Sequence, residues 1–260
     1  MSEELQIRVE DRVGHIVFNR PETHNGLVPA FLLDVIEAVK SFDADPGVRA
    51  MLFTGNGKNF SSGGDKAFLR EVQQMPPQVV QTTVYGAFQG AVRTIKLCAK
   101  PTVAVVNGGA VGTGCELAIA CDFRVVSKTS FFHENWSAIG TIPTLGGMFL
   151  LPRLIGMERA ANMIMRCQRV YGEEAVRIGL ASLLVEDEAK LLEEGFGFAK
   201  DLACRSPNAM RVAKVALRRS MEGTLAGEWE FNLLQQGTLL SGPDFAAALD
   251  ALEAKRTPTY

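Results

Sequence analysis

Residues 107–122, Asn-Gly-Gly-Ala-Val-Gly-Thr-Gly-Cys-Glu-Leu-Ala-Ile-Ala-Cys-Asp, hold the densest set of groups able to do chemistry in this chain. Just before them, Thr102 to Val106 is a short apolar run after Pro101, which predicts a buried strand. After Gly114, the run from Cys115 to Cys121 is rich in helix formers, so the expected order is strand, glycine-rich turn, helix. Gly108, Gly109, Gly112 and Gly114 allow positive φ and close approach of the backbone to a ligand. The first N–H groups of a helix lack intrahelical partners, so such a turn can aim bare amides at an oxyanion or a phosphate. Glu116 sits in or beside the first helical turn, where the helix dipole favours a carboxylate and where it can reach the same space as those amides. Taken alone, the segment fits a packing turn with Glu116 as a surface cap equally well.

A second turn of small residues, Asn59-Phe60-Ser61-Ser62-Gly63-Gly64-Asp65, precedes a predicted helix from Lys66 to Gln74. Its Gly-Gly pair could offer another exposed amide at a helix start, and Asp65 is placed to cap that helix. Two amides converging on one oxygen would make an oxyanion hole.

The elements that must position these turns follow from periodicity. Leu5, Ile7 and Val9 alternate with polar residues, and Val13 to Phe18 reads as their hairpin partner. Apolar residues recur at helical spacing from Pro29 to Phe42, and Arg49 to Thr54 reads as a strand, so strand, helix and strand form a crossover unit. Gln78 to Leu97 predicts one long helix, Phe123 to Val126 a strand, and Phe131 to Gly147 a mixed segment. Beyond residue 145 helical periods dominate, with one short strand near Ala181 to Val185. The fold class is α/β: the first 145 residues read as an α/β layer system and the rest as a helical extension, whose residues 225–252 are expected to pack on the protein's own core or on a neighbouring subunit.

Composition narrows the function classes. With 260 residues, 47% hydrophobic and 22% charged, the chain can bury a sizeable core and has an ordinary soluble balance. A net charge of −2 without a basic stripe argues against nucleic acid, and no apolar run is long enough to span a bilayer. The opening Met1-Ser2-Glu3-Glu4 is acidic and lacks an apolar run, which predicts no signal peptide and a cytoplasmic protein. Cys98, Cys115, Cys121, Cys167 and Cys204 are odd in number with no C-x-x-C pair, so buried reduced thiols are expected. His15, His24 and His133 match no metal motif, and no metal is assigned.

Several stretches together resemble the enoyl-CoA hydratase/isomerase (crotonase) superfamily: Asn19-Arg20-Pro21-Glu22-x-x-Asn25, Phe60 to Asp65, residues 107–122, Gly140-Thr141-Ile142-Pro143 with Gly146-Gly147, Leu151 to Gly156, and the Lys255-Arg256-x-Pro258 ending. The resemblance runs in order from about residue 5 to the C-terminus. It implies a spiral of ββα turns over residues 1–195 with a C-terminal helical trimerisation region over 196–260, and a homotrimer or a hexamer built as a dimer of trimers. It implies an acyl-CoA substrate and no separate cofactor. The amides of Gly64 and Thr113 match the family's oxyanion-hole positions, with Thr113 where glycine is usual and Gly112 beside it. Glu116 matches one of the two acid/base carboxylates.

The second carboxylate would lie four residues before Gly140, and Trp136 stands there. Ordinary hydration is thereby placed in doubt, while one carboxylate can still shuttle a proton in double-bond isomerisation. Trp136 is expected to wall the acyl pocket. Glu134 is expected as a solvated loop carboxylate unless a register shift brings it into the site. A tryptophan here is also similar to the chlorobenzoyl-CoA dehalogenases, but their aspartate and histidine would fall on Thr144 and Gln89, which excludes that reaction. Ser62, Asp65, Gly112 and Thr144 complete the implied acyl site, and Arg20, Lys66, Lys255 and Arg256 are candidates for the CoA phosphates. Two alternatives stay open at the level of sequence. One is decarboxylation or C–C hydrolysis of a β-keto or malonyl-type thioester; the other is a catalytically silent CoA-binding scaffold.

Overall fold

The opening alternation becomes an antiparallel pair, β1 (Leu5–Glu10) and β2 (Val13–Phe18). The computed structural model describes residues 3–260, so Met1 and Ser2 of the acidic opening lie outside the described residues. α1 (Pro29–Ala44) then carries the chain across, so that β3 (Ala50–Gly55) lies parallel to β2. β4 (Thr102–Val106), β6 (Phe123–Ser127) and β9 (Leu183–Val185) complete a sheet in the order β1-β2-β3-β4-β6-β9, parallel from β2 onward. The central strands are apolar at nearly every position because both faces are covered. In β3, Met51 and Phe53 join the main core with α1 and α4 (Tyr85–Leu97). Ala50 and Leu52 face a smaller core closed by α9 (Leu191–Ala203).

A boundary at 195/196 falls inside α9, whose Leu191, Ala199 and Ala203 seal the back of the sheet. The helical arm therefore starts with α10 (Pro207–Ser220) and continues through α11 (Leu225–Leu240) and α12 (Pro243–Glu253). Lys214 ties α10 to the body, its ammonium 2.8 Å from the Asp122 carboxylate. α11 buries none of its residues, and Leu225, Trp229, Leu233 and Leu234 are each at least 65% exposed.

Three expectations change. The predicted single helix from Gln78 is α3 (Pro77–Val79), a wide π turn at Val80–Val84, and then α4. The interruption coincides with β-branched Val79, Val80, Thr82, Thr83 and Val84, which crowd a regular helix. The glycine-rich turn contains a strand, β5 (Gly109–Val111), which pairs with β7 (Phe131–His133) in a small sheet that β8 (Val170–Tyr171) completes. Three residues are too few to show a period, and their pairing partner lies 22 positions away along the chain. Cys98, Cys115 and Cys121 are buried as expected, but Cys167 is partly exposed and Cys204 exposed.

Between these sheets runs α5 (Thr113–Ala120), buried along its whole length. α2 (Lys66–Val72), α6 (Gly147–Ile155), α7 (Met157–Met165) and α8 (Gly172–Arg177) fill the remaining connections. Among the described residues no helix is long and apolar enough to cross a membrane.

Candidate active site

The two glycine-bearing turns are clamped side by side. The Ser61 amide donates to the Gly109 carbonyl at 3.1 Å, and the Val111 amide donates to the Ser61 carbonyl at 2.9 Å. The Gly109 amide donates to the Asn59 side chain at 3.0 Å. Asn25 braces the first turn from behind, donating to the carbonyls of Asn56 and Asn59. This approach explains two glycines. A Cβ on Gly63, which has φ +86°, would come within 2.7 Å of the Val111 carbonyl oxygen, and one on Gly114 within 2.6 Å of the Ser61 carbonyl oxygen.

The clamp leaves two amides over. Leu27 takes the Gly63 carbonyl and the Asp65 amide, at 2.8 and 2.9 Å, so the intervening Gly64 N–H points away from Leu27. Thr113 is the first residue of α5, and the preceding amide, that of Gly112, is taken by the His133 carbonyl at 2.8 Å. Among the described residues neither the Gly64 nor the Thr113 N–H donates to a protein acceptor.

Glu116 is 0% exposed. One carboxylate oxygen, Oε1, accepts the amides of Gly147 at 2.7 Å and Leu145 at 3.1 Å, at the start of α6. The other, Oε2, is buried without a partner. Burial raises the Glu116 pKa from 4.5 into the neutral range, and the α6 amides hold it back from rising further. Gln89 fixes the approach to α6 by donating to the Thr144 carbonyl at 2.8 Å.

Glu134, expected in solvent, is also 0% exposed. It directly follows β7, whose pairing with β5 points it inward beside α5. Its Oε2 accepts the Trp136 indole N–H at 2.7 Å, and its Oε1 is buried without a partner. Its pKa is raised even more than that of Glu116, by burial and then by the Glu116 charge, against hydrogen bonds from Cys115 and Trp136. Two carboxyl groups sharing dry space do not both ionise near neutrality, and they titrate as a pair.

Trp136, expected as an apolar wall, donates its indole N–H to the Glu134 carboxylate. The Thr113 and Thr144 hydroxyls are buried without partners. The Asp65 carboxylate caps α2, accepting the amides of Ala67 at 2.9 Å and Phe68 at 3.2 Å. Ser62 is exposed and bonded through Oγ to the Thr23 carbonyl at 3.1 Å. Arg20 is spent on the fold: its guanidinium meets Glu4 at 3.2 Å, Asp65 at 3.8 Å and the Gly26 carbonyl, so little of its charge is left for a phosphate. Lys66 is exposed at the start of α2, and Lys255 and Arg256 are exposed beyond α12. Among the described residues no cluster of three or more His, Cys, Asp or Glu is placed to hold a metal ion.

Asn25, Asn59, Ser61 and Cys115 were not singled out as site residues, although their stretches were. Their contribution is which carbonyl or carboxylate they reach, and no spacing rule encodes that.

The architecture is the crotonase fold, that of acyl-CoA enzymes of the hydratase/isomerase type. The chain belongs to the enoyl-CoA hydratase/isomerase family, whose model matches residues 8–260. It is 35% identical to a "Probable enoyl-CoA hydratase" of Rhizobium meliloti, over 99% of this chain and 98% of the relative. It is 33% identical to the crotonyl-CoA hydratase of Syntrophomonas wolfei, over 85% of this chain and 83% of that one. The crystal structure of an enoyl-CoA hydratase from Bacillus anthracis superposes with a TM-score of 0.92 at 28% identity, covering 99% of both chains.

Proposed function

We propose that the protein adds water reversibly across the double bond of 2-enoyl-CoA thioesters, with two carboxyl groups rather than one. The observation that carries this is the meeting of Glu116 and Glu134 in one buried space, each with one oxygen already held and one unpartnered. The thioester carbonyl would receive the Gly64 and Thr113 amides, which act on the negative charge that develops as water adds to C3. Glu116, held by two amides that favour its ionised form, takes the proton from water. Glu134, kept protonated by burial and by the Glu116 charge, delivers a proton to C2. The roles reverse in dehydration.

Crotonyl-CoA and a 3-enoyl-CoA test the reading. The expected product of crotonyl-CoA is a 3-hydroxyacyl-CoA, heavier by one water. Interconversion of the two enoyl esters without mass gain would replace hydration by isomerisation on Glu116 alone.

Thr113→Pro tests the amide. Proline is favoured at the first position of a helix and removes the N–H that α5 leaves unused, together with the side-chain hydroxyl. The turnover number is expected to fall by about 100- to 1000-fold, as for loss of one oxyanion donor. Thr113→Ala, which keeps the amide, is expected to stay far closer to the parent.

The exposed apolar face of α11 supports assembly as a homotrimer or as a hexamer of two trimers, with the arm covered by neighbouring subunits. A soluble cytoplasmic enzyme that uses acyl-CoA as substrate and no separate cofactor is the accompanying proposal. Within such an assembly, Lys66, Lys255 and Arg256 are the exposed cations left to meet CoA phosphates.

A further inference from the structure

We infer that Trp136 is a positioning residue that lets a glutamate two places earlier in the chain serve as the second acid/base group, by engaging one oxygen of Glu134 and aiming the other at the substrate. This rests on the two-carboxyl reading above. The indole N–H donates to Glu134 Oε2 at 2.7 Å. An oxygen that accepts a short, strong bond cannot readily carry the acidic proton as well. The proton is thereby confined to Oε1, the oxygen that is buried and has no protein partner.

The indole runs beside Gly112: a Cβ built there, at φ +51°, would lie at ordinary contact distance, 3.7 and 3.8 Å, from Trp136 Cε2 and Cζ2 and 3.1 Å from Asn135 Oδ1. The ring thus lies between the residue preceding Thr113 and the Glu134 carboxyl. Preorganisation of this kind matters because a misplaced proton donor loses rate steeply. It also explains how a chain with tryptophan at the usual carboxylate position can keep two carboxyl groups in its site.

The groups facing Glu134 are Glu116 and Cys115 on α5, Trp136 on its own segment, and Cys167 after α7. Of these, the Trp136 indole donates a hydrogen bond to it and favours its ionised form. Removing the indole N–H must therefore make Glu134 a weaker acid, and the alkaline limb of the rate profile must move to higher pH.

Trp136→Phe keeps an aromatic ring and removes the N–H. With crotonyl-CoA, kcat is expected to fall by about 10- to 100-fold with KM within about threefold, because the donor acts in the transition state rather than in binding. The alkaline limb should rise by half a pH unit or more. In a Glu134→Gln background the same substitution should cost little more, since its route of action is already gone. Infrared spectra of the Glu116→Gln protein with and without Trp136→Phe report the Glu134 carboxyl directly and need no turnover; its titration should move upward.

Four results would overturn the inference. The first is an unaltered kcat and pH profile in Trp136→Phe while Glu134→Gln is inactive, which spares the two-carboxyl reading. The second is a full additional loss in the double variant. The third is an unmoved carboxyl titration. Full hydration by Glu134→Gln would overturn this inference and the two-carboxyl reading together.

Discussion

Glu116→Gln is expected to lower kcat for crotonyl-CoA hydration by about 1000- to 10,000-fold, the upper range for loss of a general base. Crotonyl-CoA affinity should stay within a few-fold, because the oxyanion amides and the cationic groups are untouched. The substitution is close to isosteric. A glutamine side-chain oxygen can still accept the Leu145 and Gly147 amides that now bind Oε1, so α6 keeps its place. What is lost is the unpartnered, ionisable Oε2. Steady-state kinetics with equilibrium binding checks both halves. Thermal melting adds a control with a definite sign. The Glu116 pKa is raised on folding, so the native state loses stability as pH rises above the unfolded value of 4.5 and through the raised one. The glutamine protein carries no such loss. It should melt progressively higher relative to the parent as pH goes from 5 to 8. A variant that is inactive and also unstable at every pH would point to a broken fold instead.

Glu134→Gln is expected to reduce hydration by about 100- to 10,000-fold. Here the discriminating readout is the shape of the pH profile. The parent should show a bell, its acid limb set by ionisation of the first carboxyl of the pair and its alkaline limb by the second. Removing Glu134 removes the second ionisation of the pair. The residual activity should lose its alkaline limb, and its acid limb should shift little, because burial and not Glu134 is the main cause of the raised Glu116 pKa. Persistence of the full bell in Glu134→Gln would assign the second ionisation to another group.

Much of this architecture was legible before any coordinates. The β1–β2 hairpin, the β2–α1–β3 crossover and the two glycine-bearing turns follow from alternation, helical spacing and the conformational demands of glycine. Local pattern placed Glu116 at the start of a helix after such a loop, and only the family resemblance set it apart from a surface cap. The Asp65 cap was readable for the same local reason.

Glu134 and Trp136 show where local reasoning stops. A loop glutamate two residues before a tryptophan reads as solvated, and the tryptophan as an apolar wall. Their actual states depend on β7 pairing with β5, on Gly112 leaving room for the indole, and on Glu116 lying across the gap. Arg20 makes the converse point: its type suited a phosphate, yet its neighbours in space, Glu4 and Asp65, consume it. By itself the sequence determined most of the order of elements, the two loops whose amides could be bare, and a carboxylate beside one of them, since these are properties of short stretches. The tertiary structure alone decided which amides stay unpaired and that a second carboxyl group, Glu134, is buried and held by Trp136. Hydrogen-bond partners and desolvation are properties of groups that meet only once the chain has folded.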